Sequence, residues 1–312
     1  MTPDYRLDND DATVHTDWDR DLDPVLTVES GDVVEFTCWN DIGPAITPET
    51  ESAELPDIPF VGHHLTGPVG IAGATPGDVL QVELLEIEHH GWGYSLVRSG
   101  EKRLGLLPEE FEDPFLYHWD LEGDVGHFED GIDVPLDPFP GVVGVAPAAA
   151  GPLSTTPPRR VGGNLDTKHY TAGSSLLLPV EVEGGLFSVG DGHAAQGDGE
   201  VCVSAIETIT TVTARLSVRT DISVAAPEFR TDGPFNAGRS TSAYGTSGVA
   251  DDLMTAARDA TRSMIRRLVA DRDLTQYEAY VLCSVMGDLK INEIVDEPNW
   301  VVSMYLPATL FD

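Results

Sequence analysis

The segment Ser188-Val189-Gly190-Asp191-Gly192-His193-Ala194-Ala195-Gln196-Gly197-Asp198-Gly199-Glu200 packs three carboxylates and one imidazole between four glycines. No structural need calls for that combination. Glycines alone make tight turns and acids alone make a solvated surface, but an imidazole among them adds a metal ligand and a proton carrier. In an extended chain residues two apart face the same side, so Asp191 and His193 can reach one ion. Asp198 and Glu200 repeat that spacing, and a hairpin-like excursion would bring both pairs together. The competing reading is a surface loop with glycines for turns and acids for solubility. A phosphate cradle lacks its G-x-G-x-x-G or Walker pattern, and the acids are not spaced as in an EF-hand.

A second loop, Gly162-Gly163-Asn164-Leu165-Asp166-Thr167-Lys168-His169, again combines glycines, an amide, an acid and an imidazole. One strand, expected over Ser174 to Val182, separates the two loops, so they can meet at the same end of adjacent strands. His169 reads equally well as a hydrogen-bonded loop histidine. Of the paired histidines, each pair can give only one ligand to a given site, because neighbours on a strand face opposite ways. His63-His64 borders the turn Thr66-Gly67-Pro68, which can form a pocket rim, whereas His89-His90 ends a strand and reads as surface or interface. No G-x-S-x-G elbow is present, and Cys202 lies in an alternating pattern that suits a small buried hydrophobe.

The elements that must hold these loops are mostly strands. Val33 to Thr37 follows the turn Ser30-Gly31-Asp32; Leu80, Val82 and Leu84 alternate with polar residues, as do Val212, Ala214, Leu216 and Val218. Such alternation predicts half-buried strands. The stretch from Asp133 to Asn164 is dense in Pro and Gly and excludes a helix; a connection of that length is functional or a lobe boundary. The expected organisation is a β-rich lobe over 1–132, a connection over 133–163, and a lobe over 164–312 with the site loops, strands and two helices. Helical periodicity first appears through Val249, Leu253, Ala257, Ala260, Met264 and Leu268, and a capping box at Thr275 to Glu278 predicts a second helix. A strand is expected again over Leu289 to Val295. The fold class is mainly β, sandwich or barrel-like, with a smaller C-terminal α+β part.

Composition bounds the rest. A chain of 312 residues with 41% hydrophobic content can bury a large core. Its formal charge of -35, from 53 Asp+Glu against 18 Lys+Arg, argues against nucleic-acid and anionic-membrane partners. At about 1 M salt the Debye length shrinks to roughly 3 Å, which relieves the self-repulsion, so a halophilic source is expected. Cys38, Cys202 and Cys283 form no C-x-x-C pair, the first ten residues lack a signal-peptide pattern, and no apolar run reaches the roughly 18 residues of a membrane span. A cytoplasmic protein is expected.

Gly162 to Lys168, Thr171-Ala172-Gly173-Ser174, Leu178-Pro179-Val180 and Gly185 through Glu200 closely resemble the acetamidase/formamidase family. Shorter matches extend the resemblance: Val28-Glu29-Ser30-Gly31-Asp32 with Asp41, Leu65-Thr66-Gly67-Pro68-Val69, Gly73 to Asp78, Pro140 to Pro147, and Gly287 to Ile291. One departure is His63-His64-Leu65, where relatives often read Asn-Pro ahead of the Thr-Gly-Pro element. The resemblance implies hydrolysis of a small aliphatic amide to carboxylate and ammonia, a bound divalent metal, zinc, with calcium open as a companion, and a homo-oligomer. On that basis Asp166, Asp191 and His193 are the expected metal ligands, with Asp41 a fourth. Glu200 is the expected general base, and Asn164 and Thr66 the substrate contacts. Two other functions compete: a metal-independent amidase using Cys202 with Glu200 and a lysine, and a non-enzymatic β-sandwich binding protein stabilised by calcium.

Overall fold

Six strands hold the site in the computed structural model, which describes residues 2–100, 103–231, 242–295 and 297–311. They are β1 (Val33–Cys38), β2 (Leu65–Ile71), β3 (Val79–Val97), β4 (Phe139–Val145), β5 (Phe187–His193) and β6 (Glu207–Arg219). The long strand β6 runs antiparallel to β3, from Glu207 opposite Tyr94 to Arg219 opposite Val79. Its other edge pairs with β1 over Thr210 to Arg215, then changes partner: at Glu207 it meets His193 of β5. β5 in turn lies between β2 and β4. The sheet therefore forks where β6 begins, and a fork leaves space that continuous pairing would fill. The mostly β architecture agrees with the sequence reading.

Every residue of β2, β4 and β5 is buried, so these strands pack on both faces. The stretch 133–163, read from its prolines and glycines as a connection, thus includes a central strand at β4. Its valines fill the core, and glycine at 144 admits the close approach of the paired backbone. The Gly162–Asn164 strand extends the sheet from β4.

A second sheet joins β7 (Ala243–Ala250), β8 (Asp288–Glu293) and β9 (Trp300–Pro307) in antiparallel order with β9 central. Helices α1 (Leu253–Asp271) and α2 (Gln276–Met286) connect β7 to β8. Val249, read as the first helical position, lies in β7 instead; the helix begins only after Asp252, whose carboxylate accepts from the Thr255 N–H at 2.8 Å. The capping box at Thr275 and Glu278 opens α2 as expected.

Two cores meet at the site. One fills the space among Phe36, Phe139, Phe187 and Val189; the other packs Ala194, Ala195, Val201, Cys202 and Ile206 against Tyr280, Leu282 and Val285 of α2. The glycine-spaced segment crosses from the first core to the second. Gly197 seats it: its N–H donates to the Ser284 carbonyl at 2.7 Å, and a Cβ there would come 1.8 Å from the Gly287 carbonyl oxygen. Such overlap cannot be relieved by a side-chain rotation. Gly197→Ala should therefore lower stability by about 2 kcal/mol or more, a drop of about 4 °C or more in the thermal midpoint. An unchanged midpoint would mean that α2 does not hold this segment.

Candidate active site

The site is built where β5 ends. Opposite it on β4, Pro140 pairs with Gly192 and Val142 with Gly190, which leaves Gly141 across from Asp191. A methyl group on Gly141 would stand 2.6 Å from Asp191 Oδ2, 2.7 Å from Asp166 Oδ1 and 2.7 Å from His193 Cε1. Bare backbone is what lets the three side chains close together. The Gly141 carbonyl also accepts from the N–H groups of Leu165 at 3.1 Å and Asp166 at 3.2 Å, which stitches the second loop onto the first.

The acids are held in strained backbone. Asp166, Asp191 and Glu200 have φ of 43°, 59° and 40°, left-handed values that L-residues seldom adopt. Such strain persists only where surrounding structure imposes it, and it concentrates at functional sites. Asp191 and His193 are therefore not joined by simple alternation along a regular strand; the turned backbone at Asp191 aims its carboxylate at the imidazole.

His193 is the centre of the contacts. Its Nε2 lies 3.3 Å from Asp191 Oδ1 and 3.2 Å from Glu207 Oε2, while Nδ1 donates to Gln196 Oε1 at 3.0 Å. Gln196 in turn donates to the Asp166 carbonyl at 2.8 Å, so the ring is fixed from the far side. Tyr94, opposite Glu207 in the ladder, donates its hydroxyl to Asp41 Oδ1. His63 accepts or donates at Thr155 Oγ1 through Nδ1, at 2.9 Å, and turns Nε2 to 3.9 Å from Asp191 Oδ2.

Five carboxyl groups, Asp41, Asp166, Asp191, Glu200 and Glu207, thus line one cavity of about 420 Å³. Burial and mutual repulsion set their protonation. Burial, then the Glu207 and Asp191 charges, push Asp41 well above the usual carboxylate range, against the Tyr94 hydrogen bond. Burial and Asp191 raise Asp166 to about 8, and burial with Asp166 raises Glu200 well above its ordinary value. Burial also raises Asp191, but His193 and His63 outweigh it and hold its carboxyl low. At His193 burial opposes the charged ring, yet Glu207 and Asp191 together keep it protonated far above the usual imidazole range. The charges of His193 and Arg98 do not offset five carboxyl groups, and protons fill the deficit.

A divalent cation fits this place. Among the described residues, Asp166 Oδ1, Asp191 Oδ1 and Glu207 Oε2 are buried and make no well-formed hydrogen bond, the last two being approached only by His193 Nε2. Donor atoms of Asp166, Asp191 and His193 lie within 4.8 Å of one another, as do those of His193, Glu200 and Glu207. With Nδ1–H committed to Gln196, Nε2 is free to serve as a ligand once its proton is displaced, the usual arrangement for a metal-bound histidine.

The structure brings Asp41, Asn164, Asp166, Asp191, His193 and Glu200 to this cavity. Asp41 is turned toward Tyr94 and stands outside both three-donor groups. Thr66, expected at the substrate, is a correction: it is buried in β2, donates its hydroxyl to the Thr37 carbonyl at 2.7 Å, and does not line the cavity. Asp198 turns outward to Lys168 at 3.4 Å, so the spacing it shares with Glu200 does not bring both acids inward. His169 stacks on Phe229, and His89 and His90 stay at the surface. Glu207, Arg98 and Tyr94 were not singled out in the sequence. Glu207 had one faint signal, a lone acid in the run Ala205-Ile206-Glu207-Thr208-Ile209.

The chain belongs to the acetamidase/formamidase family, whose profile matches residues 1–153 and 148–312. It is 27% identical to the formamidase of Methylophilus methylotrophus over 61% of this chain and 60% of that protein. It is 28% identical to the acetamidase of Mycolicibacterium smegmatis over 60% and 61%. These matches span about three fifths of each relative's length. Among solved structures, the acetamidase from Bacillus halodurans is 33% identical, with 98% of each chain covered and a TM-score of 0.68. The gamma lactamase from Delftia acidovorans is 26% identical, covers 97% of this chain and 90% of its own, and has a TM-score of 0.89.

Asp166 titrates at about 8 in the folded chain against an ordinary value of 3.8, so the folded state holds a proton that the unfolded state has lost. Its contribution to stability is complete below the unfolded value and disappears as pH rises through about 8. In chelated protein, the stability gain from Asp166→Asn over the unaltered chain should therefore grow between about pH 5 and about pH 8 in thermal melts. A difference independent of pH would contradict this.

Proposed function

We propose that the chain hydrolyses a small aliphatic amide, of the formamide or acetamide kind, to carboxylate and ammonia, at a divalent metal held by Asp166, Asp191 and His193. The observation that carries this reading is the convergence of five carboxyl groups on one buried imidazole, with Asp166 Oδ1 buried and unbonded and with Asp191 Oδ1 and Glu207 Oε2 met only by His193 Nε2. The names of the family's relatives supply the reaction class. Zinc suits a mixed carboxylate and imidazole set, whereas calcium prefers an all-oxygen shell.

An amide carbonyl is a poor electrophile, and bound zinc would supply Lewis acidity and ease the ionisation of water. Glu200 takes the proton from the attacking water and returns it to the departing nitrogen. Burial and the Asp166 charge raise its carboxyl well above the usual carboxylate range, which strengthens it as a proton acceptor. Asn164 orients the amide: its Nδ2 donates to the Thr156 carbonyl at 3.2 Å, leaving a buried Oδ1 without a partner to accept from the substrate N–H.

The rival readings find less support. Cys202 does not line the cavity, burial pushes its thiol up to about 12, and its sulfur faces the Ser204 carbonyl at 3.6 Å. Lys168 is tied to Asp288 and Asp198, Lys290 is 3.5 Å from Asp288, and Lys102 lies outside the described residues. A calcium-stabilised binding protein would not need an imidazole among its donors.

In the same reading the chain works as a cytoplasmic homo-oligomer. Its three cysteines are free and buried, and Val249, Ile291 and Ile294 expose apolar surface around the C-terminal sheet. The charge of -35 favours a salt-rich medium. The thermal midpoint should accordingly rise between about 0.1 M and about 2 M KCl, and a midpoint that falls would remove the halophilic reading.

Ammonia release from formamide, acetamide, propionamide and larger amides, run at high salt, tests the reaction. Glu200→Gln should keep its metal by elemental analysis while kcat falls on the order of 10²-fold or more. Near-full turnover in that variant would take Glu200 out of the base role.

A further inference from the structure

We infer that Arg98 binds the acyl oxygen of the ligand: the amide carbonyl oxygen as charge develops on it, and the carboxylate of the product acid. The inference rests on the amide-hydrolase reading and adds a residue to it. Arg98 directly follows β3 and is only 8% exposed, yet it lines the cavity. Among the described residues its guanidinium makes no hydrogen bond and no ion pair. An arginine stays protonated at every working pH, and a buried charge without a partner is expensive.

Its isolation among acids is informative. Five carboxyl groups share the cavity, and the Arg98 charge is felt at Asp41, yet none approaches it within ion-pair distance. A guanidinium kept only to neutralise the cluster would pair with one of its members. Held apart, its donors are free for a guest.

Several other donors around the cavity are engaged within the protein. Asn164 Nδ2 serves the Thr156 carbonyl, His63 Nδ1 is at Thr155, His193 Nδ1 is at Gln196, and Arg103 pairs with Glu109 at 3.1 Å. The reaction nevertheless needs a donor. When water oxygen bonds to the carbonyl carbon, the π pair moves onto the carbonyl oxygen. That pair re-forms C=O as the C–N bond breaks, and nitrogen leaves as ammonia with the proton from Glu200. A cavity walled by carboxylates repels the intermediate anion and the product acid unless a cation faces the oxygen. The planar fork of arginine matches both oxygens of a carboxylate.

Arg98→Ala and Arg98→Lys in the metal-loaded enzyme test this, with metal content and circular dichroism measured alongside. Arg98→Ala should lose on the order of 10²-fold or more in kcat, as for removal of an oxyanion donor. Its inhibition constant for propionate should weaken about 10-fold or more. Arg98→Lys, which keeps the charge without the fork, should recover part of both, and millimolar guanidinium should partly rescue Arg98→Ala. Turnover within about threefold of the parent in Arg98→Ala, or unchanged propionate inhibition, would overturn the assignment. Should Arg98→Ala not fold, the same two readouts on Arg98→Lys decide, no loss in either overturning it. If the parent hydrolyses no amide at all, calorimetry with propionate still decides. Binding lost in the variants supports Arg98 as the carboxylate site while the amide reading fails, and binding absent from the parent, or equal in all, overturns it.

Discussion

Five carboxyl groups around one buried imidazole, two of them fully buried and three half-buried, cannot all ionise in a low-dielectric cavity without added positive charge. Desolvation and mutual repulsion both favour the neutral acids, and the shifts at Asp41, Asp166 and Glu200 run in that direction. Either protons or a cation must complete the cluster. Three buried oxygens without a well-formed hydrogen bond, on Asp166, Asp191 and Glu207, mark where a cation would contact it. Much of the local structure follows from holding these groups together against their repulsion.

That holding is done by backbone rather than by side-chain ion pairs. Left-handed turns at Asp166, Asp191 and Glu200 aim three acids inward, and Gly141 removes the Cβ that would separate them. The forked sheet supplies the room, because β6 exchanges β1 for β5 at the point where Glu207 meets His193. The two cores on either side of the glycine-spaced segment prevent it from relaxing, with α2 fixing its far end through Gly197. The fold and the site are thus one arrangement: the cores supply the stability that the strained acids consume.

Asp166, Asp191, His193 and Glu200 were legible in the sequence because each lies in a short glycine-spaced segment, where unusual residue types are adjacent. Asp41 entered only through family resemblance. Glu207 and Arg98 carry no local signature; pairing makes them part of the site, since β6 places Glu207 beside His193 and Arg98 emerges just past the end of β3, four residues after Tyr94. Thr66 misled for the same reason, since nothing local shows that its hydroxyl is taken by Thr37 on a neighbouring strand. Strand alternation and the Thr275 capping box identified their elements, whereas β4 was hidden by prolines and glycines that read as loop. Val249 fitted a helical period by chance, and the Asp252 cap shows where the helix begins.

Calorimetric titration of the chelated protein with zinc tests the central claim most directly, because it asks whether the acid cluster is completed by a cation. Saturable binding of about one equivalent with release of protons is expected, abolished or strongly weakened in Asp191→Asn. Absence of binding, or binding that Asp191→Asn leaves unchanged, would contradict it.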